Sequence, residues 1–202
     1  KGIEFKKWLL KKNKEKLPQS KSPDLLINSD SNILSIILNR ADTNNAITSK
    51  MRDELNEILD MAIIDKNISK ILLSSNGKIF SAGGAVEEFG LVSDPASAHW
   101  IRSVGLPAKK LMQLQAKLCV NIKGGAIGAG IEMAAFSEKI IASQNSWFQL
   151  PELKYGLIPG AGGTVSIPRR IGRQRTAYMA ITTKKINAKK ALEWGLIDAI
   201  ED

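Results

Sequence analysis

The spacing of hydrophobic residues changes several times along the chain, and each spacing predicts a different element. Two runs of β-prone residues, at 25–28 and 33–39, flank a short polar stretch, which favours a hairpin. Between residues 48 and 65 the apolar positions recur every three or four residues, as on one face of a helix. A buried strand is predicted at 71–73, and the Asn-Gly pair that follows it is a strong turn signal.

The second half of the chain repeats this alternation in shorter units. Helices divided by Pro107 are predicted between residues 95 and 118. Beyond them we predict strands at 119–122, 139–142 and 196–200, helices at 131–136, 176–183 and 187–194, and glycine-rich loops at 124–130 and 151–163. Alternating strands and helices are typical of an α/β fold whose strands are mostly parallel and joined by crossover helices.

Positive charge is concentrated at the beginning of the chain. The 202 residues have a net charge of +9, and residues 1–22 contain eight lysines against two glutamates. Phe5, Trp8 and Leu9 fall on one side of a helical wheel, so this segment is predicted to be a short amphipathic helix. It either binds RNA, an acidic lipid surface or a protein partner, or packs on its own domain or a neighbouring subunit; a lysine run favours the second reading. We therefore predict a basic helical extension at 1–22 and a core domain at 23–202.

Composition limits the chemistry that the chain can perform. A single cysteine, Cys119, and a single histidine, His99, exclude a disulfide framework and a dedicated transition-metal site. No apolar run approaches the roughly 18 to 20 residues of a membrane-spanning helix, and no secretory signal is visible, so the expected location is the cytoplasm. The chemistry is expected to use carboxylates, hydroxyls, amides and the backbone.

Two turns of small residues follow predicted core strands, at residues 80–85 and 124–130. Each turn can present a backbone N–H, and two such groups aimed at one oxygen form an oxyanion hole. Taken singly, the first turn is also compatible with an ordinary loop and the second with close helix packing. A nucleotide-binding loop is disfavoured because the second turn lacks a Gly-Lys-Ser/Thr ending.

Two glutamates stand in largely uncharged surroundings near these turns. Glu132 follows the second turn, and Glu152 comes directly after Pro151. Burial raises the pKa of a carboxyl group and suits it to general acid–base catalysis. For either residue alone, the ordinary alternatives are a surface position on a helix for Glu132 and a helix cap for Glu152.

In combination, these segments resemble the crotonase superfamily, which contains the enoyl-CoA hydratases and isomerases. The resemblance covers roughly residues 24 to 202 in order, and its strongest part is 148–152 with 157–164 and 167–172. The other matching segments are 38–40 with 45–46, 77–83, 127–132, 185–188 and 191–197. An ordered set of this kind is far more specific than a single glycine motif.

The resemblance implies a spiral of β–β–α units assembled into trimers or hexamers, in an enzyme of acyl-CoA and fatty acid metabolism. It places the oxyanion hole at the N–H groups of Ala82 and Ala129, and the catalytic carboxyls at Glu132 and Glu152. Glu152 would exchange the proton at Cα, and Glu132 would orient or deprotonate the water that adds at Cβ. Coenzyme A is part of the substrate, so no separate cofactor is implied. The positions expected to bind substrate are Ser81, Gly83, Gly84, Gly128, Pro151 and Gly160.

Retention of both glutamates favours hydration of a 2-enoyl-CoA thioester. An isomerase, which needs one carboxylate, or another crotonase reaction is the alternative within this superfamily. A non-catalytic protein that binds RNA or a partner through the basic N-terminal segment is the alternative outside it.

Three departures from the family pattern are Ala129 in place of glycine, Ala85 in place of aspartate, and the absence of the usual C-terminal helices after the 194–197 motif.

Overall fold

The computed structural model describes residues 24–88 and 94–201. The predicted N-terminal helix lies outside the described residues, so it stays a prediction, as does the division into an extension and a core domain. The strands are β1 (Leu25–Asp30), β2 (Ile33–Leu38), β3 (Lys70–Ser75), β4 (Leu118–Ile122), β5 (Gly125–Ile127), β6 (Lys139–Ala142), β7 (Trp147–Gln149), β8 (Ile186–Asn187) and β9 (Ala199–Ile200). The α-helices are α1 (Ser49–Ile64), α2 (Pro95–Val104), α3 (Ala108–Gln113), α4 (Ala129–Ala134), α5 (Gly163–Thr182) and α6 (Ala188–Trp194).

Within the described chain these strands form two sheets. The larger has six strands in the order β1-β2-β3-β4-β6-β9. Only its β1–β2 hairpin is antiparallel, and the register places Ile36 beside Leu73 and Leu73 beside Val120. The smaller sheet has the order β5-β7-β8. The mostly parallel α/β architecture that the alternating pattern predicted is therefore confirmed.

Helix α1 shows how the apolar spacing produces the core. Thr48 caps its first turn by accepting a hydrogen bond from the Met51 N–H at 3.2 Å. The residues spaced three or four apart then bury one face of the helix: Met51, Leu55, Ile58, Leu59 and Ala62. The same core includes alternate residues of the central strands, such as Ile36 and Ile71.

Several sequence-based boundaries were wrong near glycine. The helix predicted at 176–183 begins thirteen residues earlier, at Gly163, and bends at Gly172, whose φ is +79°. The glycine-rich stretch 124–130 contains the strand β5, and β7 was not predicted at all. The strand predicted at 196–200 is confined to Ala199–Ile200. Strands of two or three residues are too short to establish an alternating pattern, so the sequence does not reveal them.

Candidate functional site

The two small-residue turns meet in the structure. Ser81 forms a parallel bridge with Ala126, with hydrogen bonds from the Ser81 N–H to the Gly125 carbonyl at 3.2 Å and from the Ile127 N–H to the Ser81 carbonyl at 3.0 Å. This pairing joins the turn after β3 to strand β5. Residues 81 and 126, which are far apart in sequence, are thereby placed side by side.

Glycine is required where the turns come closest. A Cβ on Gly83, whose φ is +91°, would lie 2.9 Å from the Ile127 carbonyl oxygen and 3.5 Å from the Ala129 nitrogen. A Cβ on Gly130 would lie 2.8 Å from the Cβ of Ser81. Both contacts show that a side chain here would push the two turns apart.

The two amides proposed for the oxyanion hole differ in their present hydrogen bonding. Ala129 is the first residue of α4, so its N–H has no acceptor within that helix, and no other described residue accepts from it. The Ala82 N–H donates to the carbonyl oxygen of Asn44 at 2.8 Å. Of the two N–H groups, that of Ala82 is therefore already occupied by a carbonyl oxygen, whereas that of Ala129 is not.

Glu132 is a buried residue of α4, with 1% of its surface exposed. Its Oε2 accepts hydrogen bonds from the N–H groups of Ala161 at 2.8 Å and Gly163 at 2.7 Å. Gly163 begins α5, and a Cβ there would collide with the Glu132 side chain. The surface position considered for Glu132 is therefore wrong, because the start of α5 encloses its carboxyl group.

Glu152 opens a short 3₁₀ helix, Glu152–Tyr155, directly after β7 and Pro151. Its side chain caps no helix, so the capping role considered for it is also wrong. Its Oε2 is buried and has no hydrogen-bond partner in the described structure. Its Oε1 lies 2.6 Å from the position that a Cβ on Gly128 would occupy. The carboxyl group therefore faces the turn that precedes α4.

Burial dominates the electrostatics of both carboxyl groups. The pKa of Glu132 is raised from 4.5 to about 7, mainly by loss of solvent and also by the charge of Glu152, whereas the Gly163 and Ala161 amides oppose the shift. Burial also raises the pKa of Glu152, partly offset by its own backbone amide and by the Glu132 side chain. Since burial disfavours ionisation of both groups and the charge of Glu152 further disfavours ionisation of Glu132, the pair holds a proton near neutral pH.

The positions expected to bind substrate fall into two groups, with Gly160 apart from both. Ser81, Gly83 and Gly84 belong to the first turn, where Gly84 pairs with Ile47 in a parallel bridge. Gly128 and Pro151 lie together beside Glu152, since a Cβ on Gly128 would be 3.8 Å from Pro151 Cδ.

Gly160 is exposed and belongs to the loop between Glu152 and α5. It adjoins Ala161, whose amide binds Glu132. The other five positions therefore lie in or beside the two small-residue turns, whereas Gly160 is connected to the site only through Ala161.

Sequence reasoning missed the groups that hold Glu132. The amides of Ala161 and Gly163 carry no side-chain signature, and the stretch 151–163 was interpreted as a loop only. The available signal was a run of small residues immediately before a helix, since free N–H groups at a helix start favour a carboxylate.

None of the helices in residues 24–88 and 94–201 is long and apolar enough to cross a membrane. In the same part of the chain, no three His, Cys, Asp or Glu side chains are grouped so that they could hold a metal ion.

Known proteins resemble the chain over most of its length. It is 28% identical over 183 residues to the 2,3-dehydroadipyl-CoA hydratase of Escherichia coli, covering 88% of this chain and 69% of that protein. It is 29% identical over 178 residues to the trans-2-decenoyl-[acyl-carrier-protein] isomerase of Streptococcus mutans, covering 86% of this chain and 68% of that one. Across the curated relatives compared, the chain spans 56% to 69% of their length.

A solved structure and a family profile agree with these relatives. The enoyl-CoA hydratase from Thermoplasma volcanium superimposes with a TM-score of 0.79 at 31% identity, over 90% of this chain and 73% of that one. The profile described as enoyl-CoA hydratase/isomerase matches residues 28–201. The expected crotonase-like fold is thereby confirmed, and the chain belongs to the enoyl-CoA hydratase/isomerase family.

Proposed function

We propose that this protein adds water across the 2,3 double bond of an acyl-CoA thioester. The observation that carries the proposal is that the buried Glu132 and the half-buried Glu152 lie beside the turn at 124–130, which is paired with the turn at 80–85. Relatives named as hydratases support the same reaction class. The substrate carries its own coenzyme A, so the proposal includes no separate cofactor.

The thioester carbonyl oxygen would accept hydrogen bonds from the Ala129 and Ala82 N–H groups. Addition at Cβ moves electron density onto this oxygen and gives an enolate. Donors already fixed in place stabilise that charge more than the neutral carbonyl, by roughly 3 to 4 kcal/mol for each donor. The free Ala129 N–H is available at once, whereas the Ala82 N–H must be shared with or released from Asn44.

The two glutamates would divide the proton transfers. Hydration needs one base, which takes a proton from water, and one acid, which gives a proton to Cα. A carboxyl pair holding a proton near neutral pH supplies both forms. In the proposed assignment Glu132, oriented by the Ala161 and Gly163 amides, acts on water, and Glu152 delivers the proton to Cα.

Hydration of crotonyl-CoA, followed by loss of the ultraviolet absorbance of the conjugated thioester, tests this function. We expect activity in the parent and a loss of at least about 100-fold in Glu132→Gln and in Glu152→Gln. Glu57→Gln, on the exposed face of α1, is the matched control and should retain parental activity. A folded parent that leaves crotonyl-CoA unchanged would contradict the proposal for this substrate.

A double-bond isomerase is the second candidate, favoured by the unpartnered Oε2 of Glu152. A single free carboxylate can move a proton between two carbons, and the Glu132 Oε2 is already held by two amides. If this reaction is the native one, Glu132→Gln should spare isomerisation of a 3-enoyl-CoA while Glu152→Gln abolishes it. Equal loss of isomerisation in both variants would contradict that division of roles.

The wider setting of the proposal follows from the resemblance. It comprises assembly into homotrimers or hexamers and a role in fatty acid metabolism. A cytoplasmic location is a separate part of the proposal and does not depend on the resemblance. The basic segment 1–22 is assigned to packing, with RNA or partner binding as its alternative. Loss of salt-sensitive RNA binding on removal of that segment would favour the alternative.

A further inference from the structure

Helix α4 ends within one turn of Glu132, and this leaves the main-chain carbonyl of that residue without its helical donor. If α4 continued, the Phe136 N–H would donate to the Glu132 carbonyl oxygen. That N–H donates instead to the Met133 carbonyl at 3.1 Å. The Glu132 carbonyl is therefore one of the acceptors that a helix end leaves unpaired. In a protein interior such a group is costly unless another donor reaches it.

Ser166, on helix α5, supplies that donor. Its hydroxyl donates to the Glu132 carbonyl oxygen at 2.7 Å, and only 1% of the serine is exposed. The Ser166 N–H is used separately, since it donates to the Gly162 carbonyl at 3.0 Å. The hydroxyl therefore joins the end of α4 to the first turn of α5 in the interior of the protein.

The start of α5 thus holds Glu132 at two points. The N–H groups of Ala161 and Gly163 donate to its carboxyl oxygen Oε2, and the Ser166 hydroxyl donates to its main-chain carbonyl. The other carboxyl oxygen, Oε1, accepts from neither amide. Because one element holds both the main chain and the carboxyl group, the side chain has little freedom to turn.

We propose that Ser166 is a positioning residue for Glu132, whose hydroxyl fixes the end of α4 against the start of α5 so that Oε2 stays on the two amides and Oε1 is left to act on water. This inference rests on the proposed function, in which Glu132 acts on water. Ser166 itself contacts no reacting atom in it. Loss of the hydroxyl would leave the Glu132 carbonyl without this donor. The end of α4 would then shift, and the amide hydrogen bonds to Oε2 would weaken.

The test compares Ser166→Ala with Ser137→Ala, a matched control. Ser137 is also a buried serine, 1% exposed, whose hydroxyl donates to a main-chain carbonyl at the end of α4, that of Ala134 at 2.8 Å. Its second acceptor is the Lys139 carbonyl at 3.2 Å. Both acceptors lie within three residues of Ser137, so this hydroxyl does not join α4 to α5. The two substitutions each remove one buried hydroxyl.

The first readout is the pKa of Glu132, which requires no turnover. It is measured by carbon-13 NMR of protein labelled at the glutamate side-chain carboxyls, with the signal assigned by its loss in Glu132→Gln. The Gly163 and Ala161 amides lower this pKa, which lies at about 7. Weaker amide hydrogen bonds in Ser166→Ala should raise it by about 0.5 to 1 pH unit. Ser137→Ala should keep the parental value, because a serine that only packs would not change this pKa.

The second readout is hydration of crotonyl-CoA. The kcat of Ser166→Ala should fall about 10-fold, with KM changed less than about threefold, because the hydroxyl holds the base and not the thioester. The ascending limb of the pH dependence of kcat/KM should move to higher pH, since Glu132 must be ionised to take a proton from water. If Ser166→Ala does not fold, Ser166→Cys serves instead, because a thiol is only a weak donor. Changes in the same directions are expected for it.

An unchanged Glu132 pKa and kcat in a folded Ser166 variant would overturn the inference, as would equal changes in Ser137→Ala. The proposed function survives either result if the parent hydrates crotonyl-CoA. A parent that does not hydrate crotonyl-CoA would overturn the proposed function and, with it, the role of Ser166 in hydration. The comparison of pKa values would then still show whether Ser166 holds the Glu132 carboxyl group.

Discussion

Ionisation of Glu132 should destabilise the folded protein, and replacing this residue by glutamine isolates the effect. Glutamine keeps an oxygen that can accept from the Ala161 and Gly163 amides but carries no charge at any pH. In the parent, burial raises the pKa of Glu132 from 4.5 to about 7. Because the folded-state pKa is the higher one, the protonated carboxyl group contributes stability below about pH 4.5. That stability is lost as pH rises through about 7.

The size of this effect follows from the pKa change. A shift from 4.5 to about 7 corresponds to roughly 3 kcal/mol, since each pKa unit is about 1.4 kcal/mol. We therefore expect the unfolding free energy of the parent to fall between about pH 5 and about pH 8 by up to about 3 kcal/mol because of this group. The unfolding free energy of Glu132→Gln should fall much less over the same pH range. The remaining fall comes from Glu152, whose pKa is also raised by burial.

Urea unfolding at several pH values, followed by circular dichroism, measures the difference. Glu57→Gln on the exposed face of α1 is the control and should give a curve parallel to that of the parent. The unfolding free energies of Glu132→Gln and of the parent should therefore diverge between about pH 5 and about pH 8. Parallel curves over this range would refute the free-energy cost assigned to ionisation of Glu132 in the folded protein.

Three further substitutions probe the site and the fold. Gly128→Ala would place a methyl group 2.6 Å from Glu152 Oε1 at a φ of +48°, so hydration activity should fall at least about 10-fold; activity equal to the parent would contradict this packing. Phe148→Ala removes a side chain with 0% exposure and should lower the unfolding free energy by about 3 to 5 kcal/mol in urea titrations. Asn187→Ala removes the cap that accepts from the Lys190 N–H at 2.8 Å and should cost about 1 kcal/mol in the same assay. A change below about 0.3 kcal/mol in that variant would show that the cap is dispensable.

The fold was predictable where apolar periodicity is long. Helix α1 and the neighbouring β2 and β3 strands were found because their buried residues repeat with a helical or strand period. Helix α5 was located only in its second half. Its first half begins among small residues and contains Pro168, a combination that suggests a loop. The hydrogen bond from the Gly163 N–H to Glu132 stabilises the start of α5, which the local sequence preferences do not determine.

The residues proposed for the site stand out in the sequence, but their hydrogen bonds do not. Glu132 and Glu152 stand out as isolated carboxylates in apolar surroundings, and the turns at 80–85 and 124–130 stand out by their small residues. The bond between the Ala82 N–H and the Asn44 carbonyl depends on backbone groups that every residue possesses. Only the three-dimensional arrangement reveals such a pairing.

Mass spectrometry of the product formed in labelled water tests the central claim most directly. Crotonyl-CoA is converted in deuterium oxide enriched in oxygen-18, and the position of each label in the product is determined. The account predicts one oxygen-18 at Cβ and one deuterium at Cα in the parent, with formation of this product suppressed in Glu132→Gln and Glu152→Gln. Deuterium incorporation without oxygen-18, or an undiminished yield of the doubly labelled product in either variant, would contradict hydration by this pair of glutamates.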